Sequence, residues 1–216
     1  MLDAVHDRFL PRLVEALAAW PMGPADDPAH AIGPVIDADA RDRLLDAIAR
    51  GRAEATVAYA GEAGALADEG FYVAPHVFAD VSPASFLAQE ELFGPVLAVL
   101  RARDLDHALA IANGTRYALT GGCYTRSPAT LDRVRREFRV GNLYLNRRIT
   151  GALVNRQPFG GFRMSGVGSK AGGADYLLQF TVPRTVTENT MRHGFTASRD
   201  PGVAGAAGVA PPAGGP

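Results

Sequence analysis

The chain has 216 residues, of which 47% are apolar and 21% charged, and its formal net charge is -1. That balance is ordinary for a folded, water-soluble chain, and the near-neutral charge gives no footprint for nucleic acid or an anionic membrane. One cysteine, Cys123, excludes an internal disulfide and a multi-cysteine metal centre.

No run approaches the ~18 apolar residues of a membrane span. The opening MLDAVHDRFL has no basic segment followed by an apolar one, so no secretory signal is expected. A reducing, cytoplasmic setting fits these features.

Residues 5–20 read as an amphipathic helix, with Val5, Phe9, Leu13 and Leu17 at steps of four. Pro11 interrupts the pattern, so the regular helix is expected to begin there, with proline in its first turn. Residues 21–36 carry enough proline and glycine to form a loop. A second helix should follow, capped by Asp37 or Asp39, with Leu44, Leu45 and Ile48 on one face and Gly51 at its end. Thr56–Ala60 reads as a strand. Phe71–Phe78 is strand-like, although Pro75 points to an edge or a break.

The next stretch, Gln89-Glu90-Glu91-Leu92-Phe93-Gly94-Pro95, precedes an apolar strand from Val96 to Leu100. Its carboxylate pair has two readings. It is a solvated helix end, or it accepts hydrogen bonds from a ligand's hydroxyls while Phe93 offers an aromatic face. Asp104–Asn113 reads as a helix ending at Asn113-Gly114, Leu119–Thr125 as a strand containing Cys123, and Ser127-Pro128 as the start of a helix to Phe138. Val140–Asn146 is the next strand. Strands alternating with ~10-residue helices predict an α/β fold with a largely parallel sheet.

The segment from Gly141 to Lys170 is dense in glycine and contains Arg147, Arg148, Arg156 and Arg163. That mixture suits a surface loop or a backbone that comes close to an anion. Tyr176–Val182 reads as a helix end or a strand. The β-branched residues of 181–190 suggest an extended arm that pairs with another segment or subunit. Residues 196–216, rich in alanine, glycine and proline, are expected to be disordered.

Cys123 has no neighbouring histidine or helix N-terminus to activate it and reads as a small buried residue. The five histidines share no zinc-ligand spacing. Neither a Walker A sequence nor a Gly-x-Gly-x-x-Gly turn between a strand and a helix is present, so no dinucleotide-binding domain is expected.

Family resemblance extends this reading. Glu91-Leu92-Phe93-Gly94-Pro95 resembles the Glu-x-Phe-Gly-Pro motif of aldehyde dehydrogenases. Pro158-Phe159-Gly160-Gly161 with Ser165-Gly166 resembles the same family's Pro-Phe-Gly-Gly-x-x-x-Ser-Gly motif. Asn113 and Tyr117-Ala118-Leu119-Thr120, between the two motifs, fit the family as well. NLYLNRRITGALVNRQPFGG followed by GSKAGGADYLLQF is similar to the 1-pyrroline-5-carboxylate dehydrogenase branch, which oxidises L-glutamate γ-semialdehyde to L-glutamate in proline metabolism.

The resemblance implies an incomplete aldehyde dehydrogenase-like catalytic domain over 1–180, an oligomerisation arm over 181–195 and the tail over 196–216. The chain looks like the C-terminal part of such an enzyme. The Rossmann-type cofactor domain, the nucleophilic cysteine and the general-base glutamate would lie before it, and Cys123 does not match the nucleophile's position.

In the complete family mechanism a thiolate attacks the aldehyde, hydride passes to NAD, and water cleaves the thioester. The resemblance gives this chain positioning roles only. Glu91 would bind the nicotinamide ribose hydroxyls, and Phe93 would pack beside the nicotinamide. The backbone N–H groups of Gly151 and Ala152 would hold the substrate's α-carboxylate, because Gly151 lacks the Cβ that would obstruct it. Phe159 would line the substrate's aliphatic part, and Ser165 would be structural. No metal and no catalytic residue is expected in the chain.

The expected partners are an amino-acid semialdehyde and either further copies of the chain or a complementary N-terminal portion. The alternatives are a non-catalytic remnant serving as an interaction module, another aldehyde substrate class, and a binding module for small carboxylates.

Overall fold

A computed structural model of the chain describes residues 1–189. The last part of the expected arm and the whole expected tail lie outside the described residues. Met1–Gln179 forms one compact unit and a second begins at Phe180.

Helix α1 spans Asp3–Ala18 and runs straight through Pro11, so the helix does not begin at the proline as the sequence suggested. Its start is fixed from outside. The Met1 ammonium donates to the Leu100 carbonyl, Asp3 N–H donates to Ala102 O, and Ala102 N–H donates back to Met1 O. That short parallel bridge fixes the first turn without a side-chain cap, and proline's missing donor removes one intrahelical bond.

Helix α2 (Ala38–Glu54) is capped by Asp37, whose side chain accepts from Ala40 N–H. It continues past Gly51. A Cβ at Gly51 would lie 2.8 Å from the Phe78 ring. The glycine therefore permits close approach of helix to strand and does not end the helix.

Strand β1 (Thr56–Ala60) and the one-turn helix α3 (Leu66–Glu69) lead to β2 (His76–Ala79). Pro75 stands just before β2, where its missing donor costs no ladder bond. The strand it precedes is nonetheless central, in the order β1-β2-β3. The short helix α4 (Phe86–Gln89) then connects to β3 (Val96–Ala98).

This first sheet is mixed. β1 pairs antiparallel with β2, and β2 parallel with β3. Gly61 N–H donates to Pro75 O at 2.9 Å and closes the neck of the β1–β2 connection. The strands it joins run antiparallel, so the connection folds back as a long hairpin around the one-turn helix α3. The core gathers on this sheet, where Leu44, Ile48, Val73, Phe78, Val81 and Leu87 are buried together.

Helix α5 (Leu105–Asn113) is capped by Asp104. Strand β4 (Tyr117–Ala118) leads almost directly into β5 (Thr120–Cys123). Helix α6 (Pro128–Glu137), with Ser127 as its cap and proline in its first turn, crosses over to β6 (Asn142–Leu145). β5 and β6 pair in parallel, as a βαβ unit requires. Strand β7 (Phe162–Arg163) pairs antiparallel with β4.

The α/β class is thus observed, but with three small sheets of mixed sense in place of one largely parallel sheet. A 3₁₀ helix, Tyr176–Phe180, is the last regular element among the described residues, and 181–189 carries no strand.

Candidate functional site

The site is built on the carboxyl ends of β5 and β6 and the turns around them. Asn146, at the end of β6, adopts a left-handed backbone (φ 54°), a conformation asparagine tolerates better than most residues. Its amide Nδ2 donates to Thr125 O at 3.0 Å, and its Oδ1 accepts from Thr125 N–H at 2.8 Å. The chain is thereby turned out of the sheet and into the loop 147–157.

Gly151 sits in that loop with φ 82°, and a Cβ built on it would meet nothing within 4 Å. Glycine is therefore required by the backbone conformation and not by crowding. Among the described residues neither the Gly151 nor the Ala152 N–H finds an acceptor. A positive-φ glycine with two adjacent open amides can bind an anionic oxygen.

Phe159 is held from three sides. Its N–H and C=O exchange hydrogen bonds with Ala171, both at 2.9 Å. Asn142 donates from Nδ2 to Pro158 O at 2.9 Å and accepts from Gly160 N–H at 3.3 Å. Gly141 lies so near Gly160 and Gly161 that any side chain there would collide with their backbone. Lys170 Nζ donates to Gly141 O from the other side.

Gly151, Ala152 and Phe159 come together around one cavity of about 460 Å³, with Leu119, Thr120, Ile149 and Thr150 completing its wall. All three residues expected to touch substrate therefore share one concavity.

Glu91 lines a neighbouring cavity of about 330 Å³ with Thr115, Tyr117 and Ser165, and Leu119 and Thr120 belong to both walls. The structure separates the two carboxylates of the Glu pair. Glu90 is held by Arg116, whose Nη2 donates to its two oxygens at 3.0 and 3.2 Å. Glu91 is exposed and has no partner among the described residues.

The turn carrying Glu91 is firmly seated. Arg43 of α2 donates to Leu92 O at 2.7 Å, and a side chain at Gly94 would run into Leu44. Phe93 takes a left-handed backbone (φ 54°) and is 74% exposed. Its ring lines neither cavity, so the geometry does not gather it with the other expected contacts. Ser165 Oγ accepts from Ala118 N–H at 3.0 Å, which ties β7 to β4 and makes this serine structural.

Burial pushes the Cys123 thiol up from its ordinary value, and Cys123 lines neither cavity. Among the described residues no group of His, Cys, Asp and Glu could hold a metal ion, and no helix is long and apolar enough to cross a membrane.

The aldehyde dehydrogenase family model matches residues 2–186. The chain belongs to the aldehyde dehydrogenase family. It is 47% identical over 188 residues to 1-pyrroline-5-carboxylate dehydrogenase of Geobacillus kaustophilus, covering 87% of this chain and 36% of that protein. With the Bacillus subtilis enzyme of the same name it shares 43% over 184 residues, 85% of this chain and 35% of the relative. The chain thus spans about a third of the curated relatives it matches.

Among solved structures, 1-pyrroline-5-carboxylate dehydrogenase from Thermus with bound NAD aligns at a TM-score of 0.75 and 44% identity, over 82% of this chain and 34% of that one. Proline utilization A from Bdellovibrio bacteriovorus, inactivated by N-propargylglycine, aligns at 0.83 and 52%, over 91% of this chain and 20% of that one.

The candidate site rests on residues whose part in it has no plain mark in the sequence. In the sequence Arg147 has no role apart from its three neighbouring arginines, yet its guanidinium lies 5.0 Å from the centre of the buried Tyr144 ring and Nη2 donates to Thr150 O at 3.3 Å. Asn142 and Gly141 were read as plain strand residues, yet they seat Phe159. A glycine at a strand's start, where a β-former is the better choice, was the available signal for close backbone approach.

Proposed function

We propose that this chain supplies the nicotinamide-ribose and substrate-carboxylate contacts of an NAD-dependent 1-pyrroline-5-carboxylate dehydrogenase, which oxidises L-glutamate γ-semialdehyde to L-glutamate. The observation that carries the reading is the shared cavity of Gly151, Ala152 and Phe159, with two amides free to donate.

NAD fits the residues present at its ribose end. An unpartnered carboxylate at the edge of a cavity of mixed polar and apolar lining suits two hydroxyl donors, and such charge-assisted bonds are roughly twice as strong as neutral ones. When bound, NAD would accept the hydride from the aldehyde carbon. Glu91 orients the ribose. The Gly151 and Ala152 amides orient the α-carboxylate, and Phe159 excludes water along the methylene chain. Phe93 is assigned to the nicotinamide on its motif position alone. The semialdehyde is thereby fixed at the end remote from the reacting carbon, where positioning lowers the entropic part of the barrier.

The same reading assigns the chain a polypeptide partner. Phe9, Trp20 and Leu97 are exposed beside two apolar grooves along α1 and β3, of about 390 and 300 Å³. Contiguous apolar surface of this kind marks an interaction site. The occupant is polypeptide corresponding to the remainder of the full-length relatives.

The test is an amide-resolved titration of the isotope-labelled chain with L-glutamate, the product. Saturable shifts at Gly151, Ala152 and Phe159 are expected, with none from 4-aminobutyrate, which lacks the α-carboxylate. Equal shifts from both compounds, or shifts confined to other residues, would overturn the assignment.

A further inference from the structure

The turn that carries Gly151 and Ala152 has no regular structure, lies in the middle of the loop 147–157 and leaves Gly151 exposed. Left alone, such a turn samples many conformations, and two amides bind one carboxylate well only when both point the same way. Something has to hold it, and the chain has one group that reaches it from each side.

From the β6 side comes Arg147. Asn146 turns the backbone so that Arg147 folds back over Tyr144, whose ring is buried in the sheet. The guanidinium then has its remaining donors pointing along the loop, and Nη2 reaches Thr150 O, the carbonyl preceding Gly151. From the far side comes Gln157, fixed by its own N–H donating to Leu153 O at 2.8 Å. With its amide oriented to satisfy both neighbours, Oε1 accepts from Arg147 Nη1 at 3.0 Å and Nε2 donates to Gly151 O at 3.3 Å. The carbonyls on either side of the Gly151 N–H are therefore both held, and the two holders are bonded to each other.

We infer that Arg147 and Gln157 form a brace that fixes the Gly151–Ala152 turn with its amides facing the cavity, and that they are positioning residues for the carboxylate of the substrate. Neither side chain lines the cavity. The ligand in this inference rests on the proposed function; the brace itself rests on the contacts above.

The planar fork is essential to this arrangement. Arg147 serves Thr150, Gln157 and the Tyr144 ring at once because its donors are fixed in one plane that also stacks. A lysine carries the same charge as a single point and cannot reach two acceptors while lying flat on a ring. Arg147→Lys therefore separates bracing from simple attraction of an anion.

The experiment uses the labelled full chain in two arms. Without ligand, backbone order at Gly151 and Ala152 is measured in the wild type, Arg147→Ala, Arg147→Lys and Gln157→Ala. An order parameter near 0.85 is expected in the wild type, falling below about 0.6 in all three variants. The β6 amides of Asn142–Leu145 should stay unchanged, which excludes general unfolding. With L-glutamate, the dissociation constant should rise about tenfold in Arg147→Ala and by a similar factor in Arg147→Lys, as loss of one charge-assisted hydrogen bond implies.

Unchanged order at Gly151 in Arg147→Ala overturns the brace. So does an Arg147→Lys variant with wild-type order and affinity, which would make Arg147 a point charge. If the wild type shows no glutamate-induced shift at Gly151, the carboxylate assignment fails, and the ligand-free arm still decides the brace by itself.

Discussion

His76 keeps one nitrogen as a donor and the other as an acceptor. Nδ1 lies 2.9 Å from Ala74 O, and Arg52 Nη2 lies 3.1 Å from Nε2, so the ring that satisfies both is neutral, with its proton on Nδ1. Burial lowers its pKa below the ordinary value, and the Arg52 charge adds to the effect. The sign follows directly. Above about pH 6.5, the value of a free imidazole, folded and unfolded chains are both neutral here and the stabilisation is complete. As pH falls below that, the unfolded chain takes up a proton the folded chain refuses, and stability declines until the folded pKa is passed. Asp7 and Glu137, held low by His6 and Arg133 respectively, act only at more acid pH. The melting temperature should therefore drop between pH 7 and 5, and the drop should be shallower in His76→Asn. The same slope in both proteins would show that His76 is not its source. At this scale the sequence was informative where one residue's own backbone carries the signal, as at Gly151, which takes the left-handed conformation glycine favours. It was silent where side chains act through each other. Nothing in the order Arg147…Gln157 says that the two meet over Tyr144, and only the fold separates a paired Glu90 from an unpartnered Glu91.

Among the elements, Gly51 sets two effects against each other. Alanine is favoured over glycine inside a helix by about 1 kcal/mol. Against this, a Cβ at 51 would stand 2.8 Å from the fully buried Phe78 ring, and overpacking a filled core costs about 1–3 kcal/mol. The clash should win because Phe78 is enclosed by the core and has nowhere to go. Gly51→Ala is expected to lower unfolding free energy by about 1 kcal/mol in denaturant titration; an increase would mean the ring moves aside freely. The caps Ser127 and Asp37, the latter one of two candidates, were legible because their signal is local: each accepts a hydrogen bond from the first turn it precedes, as does Asp104, which the pattern counts inside its helix. Strand sense was not. The β1–β2 connection and the β2–β3 connection look alike as sequence, yet one returns antiparallel and the other crosses over, because pairing is decided by contacts far apart along the chain. Helix α1 was misplaced at Pro11 for the same reason, since its anchor is Ala102.

For the molecule as a whole, the chain matches about 36% of the length of its Geobacillus kaustophilus relative. Its one thiol is raised by burial and stands outside both cavities. The chain by itself is expected to give no NADH from NAD and glutamate γ-semialdehyde above a heat-killed control; steady turnover would place a working nucleophile within these residues. The cavity walls carry one more consequence. Leu119 and Thr120 face Glu91's cavity on one side and Gly151's on the other. Occupancy of either cavity that shifts this shared partition alters the shape of the other. By thermodynamic linkage, the factor by which the first ligand changes the second's affinity equals the factor by which the second changes the first's. A ligand that moves this two-residue wall would therefore couple the two sites with no change of subunit or domain, and one that leaves it in place would not.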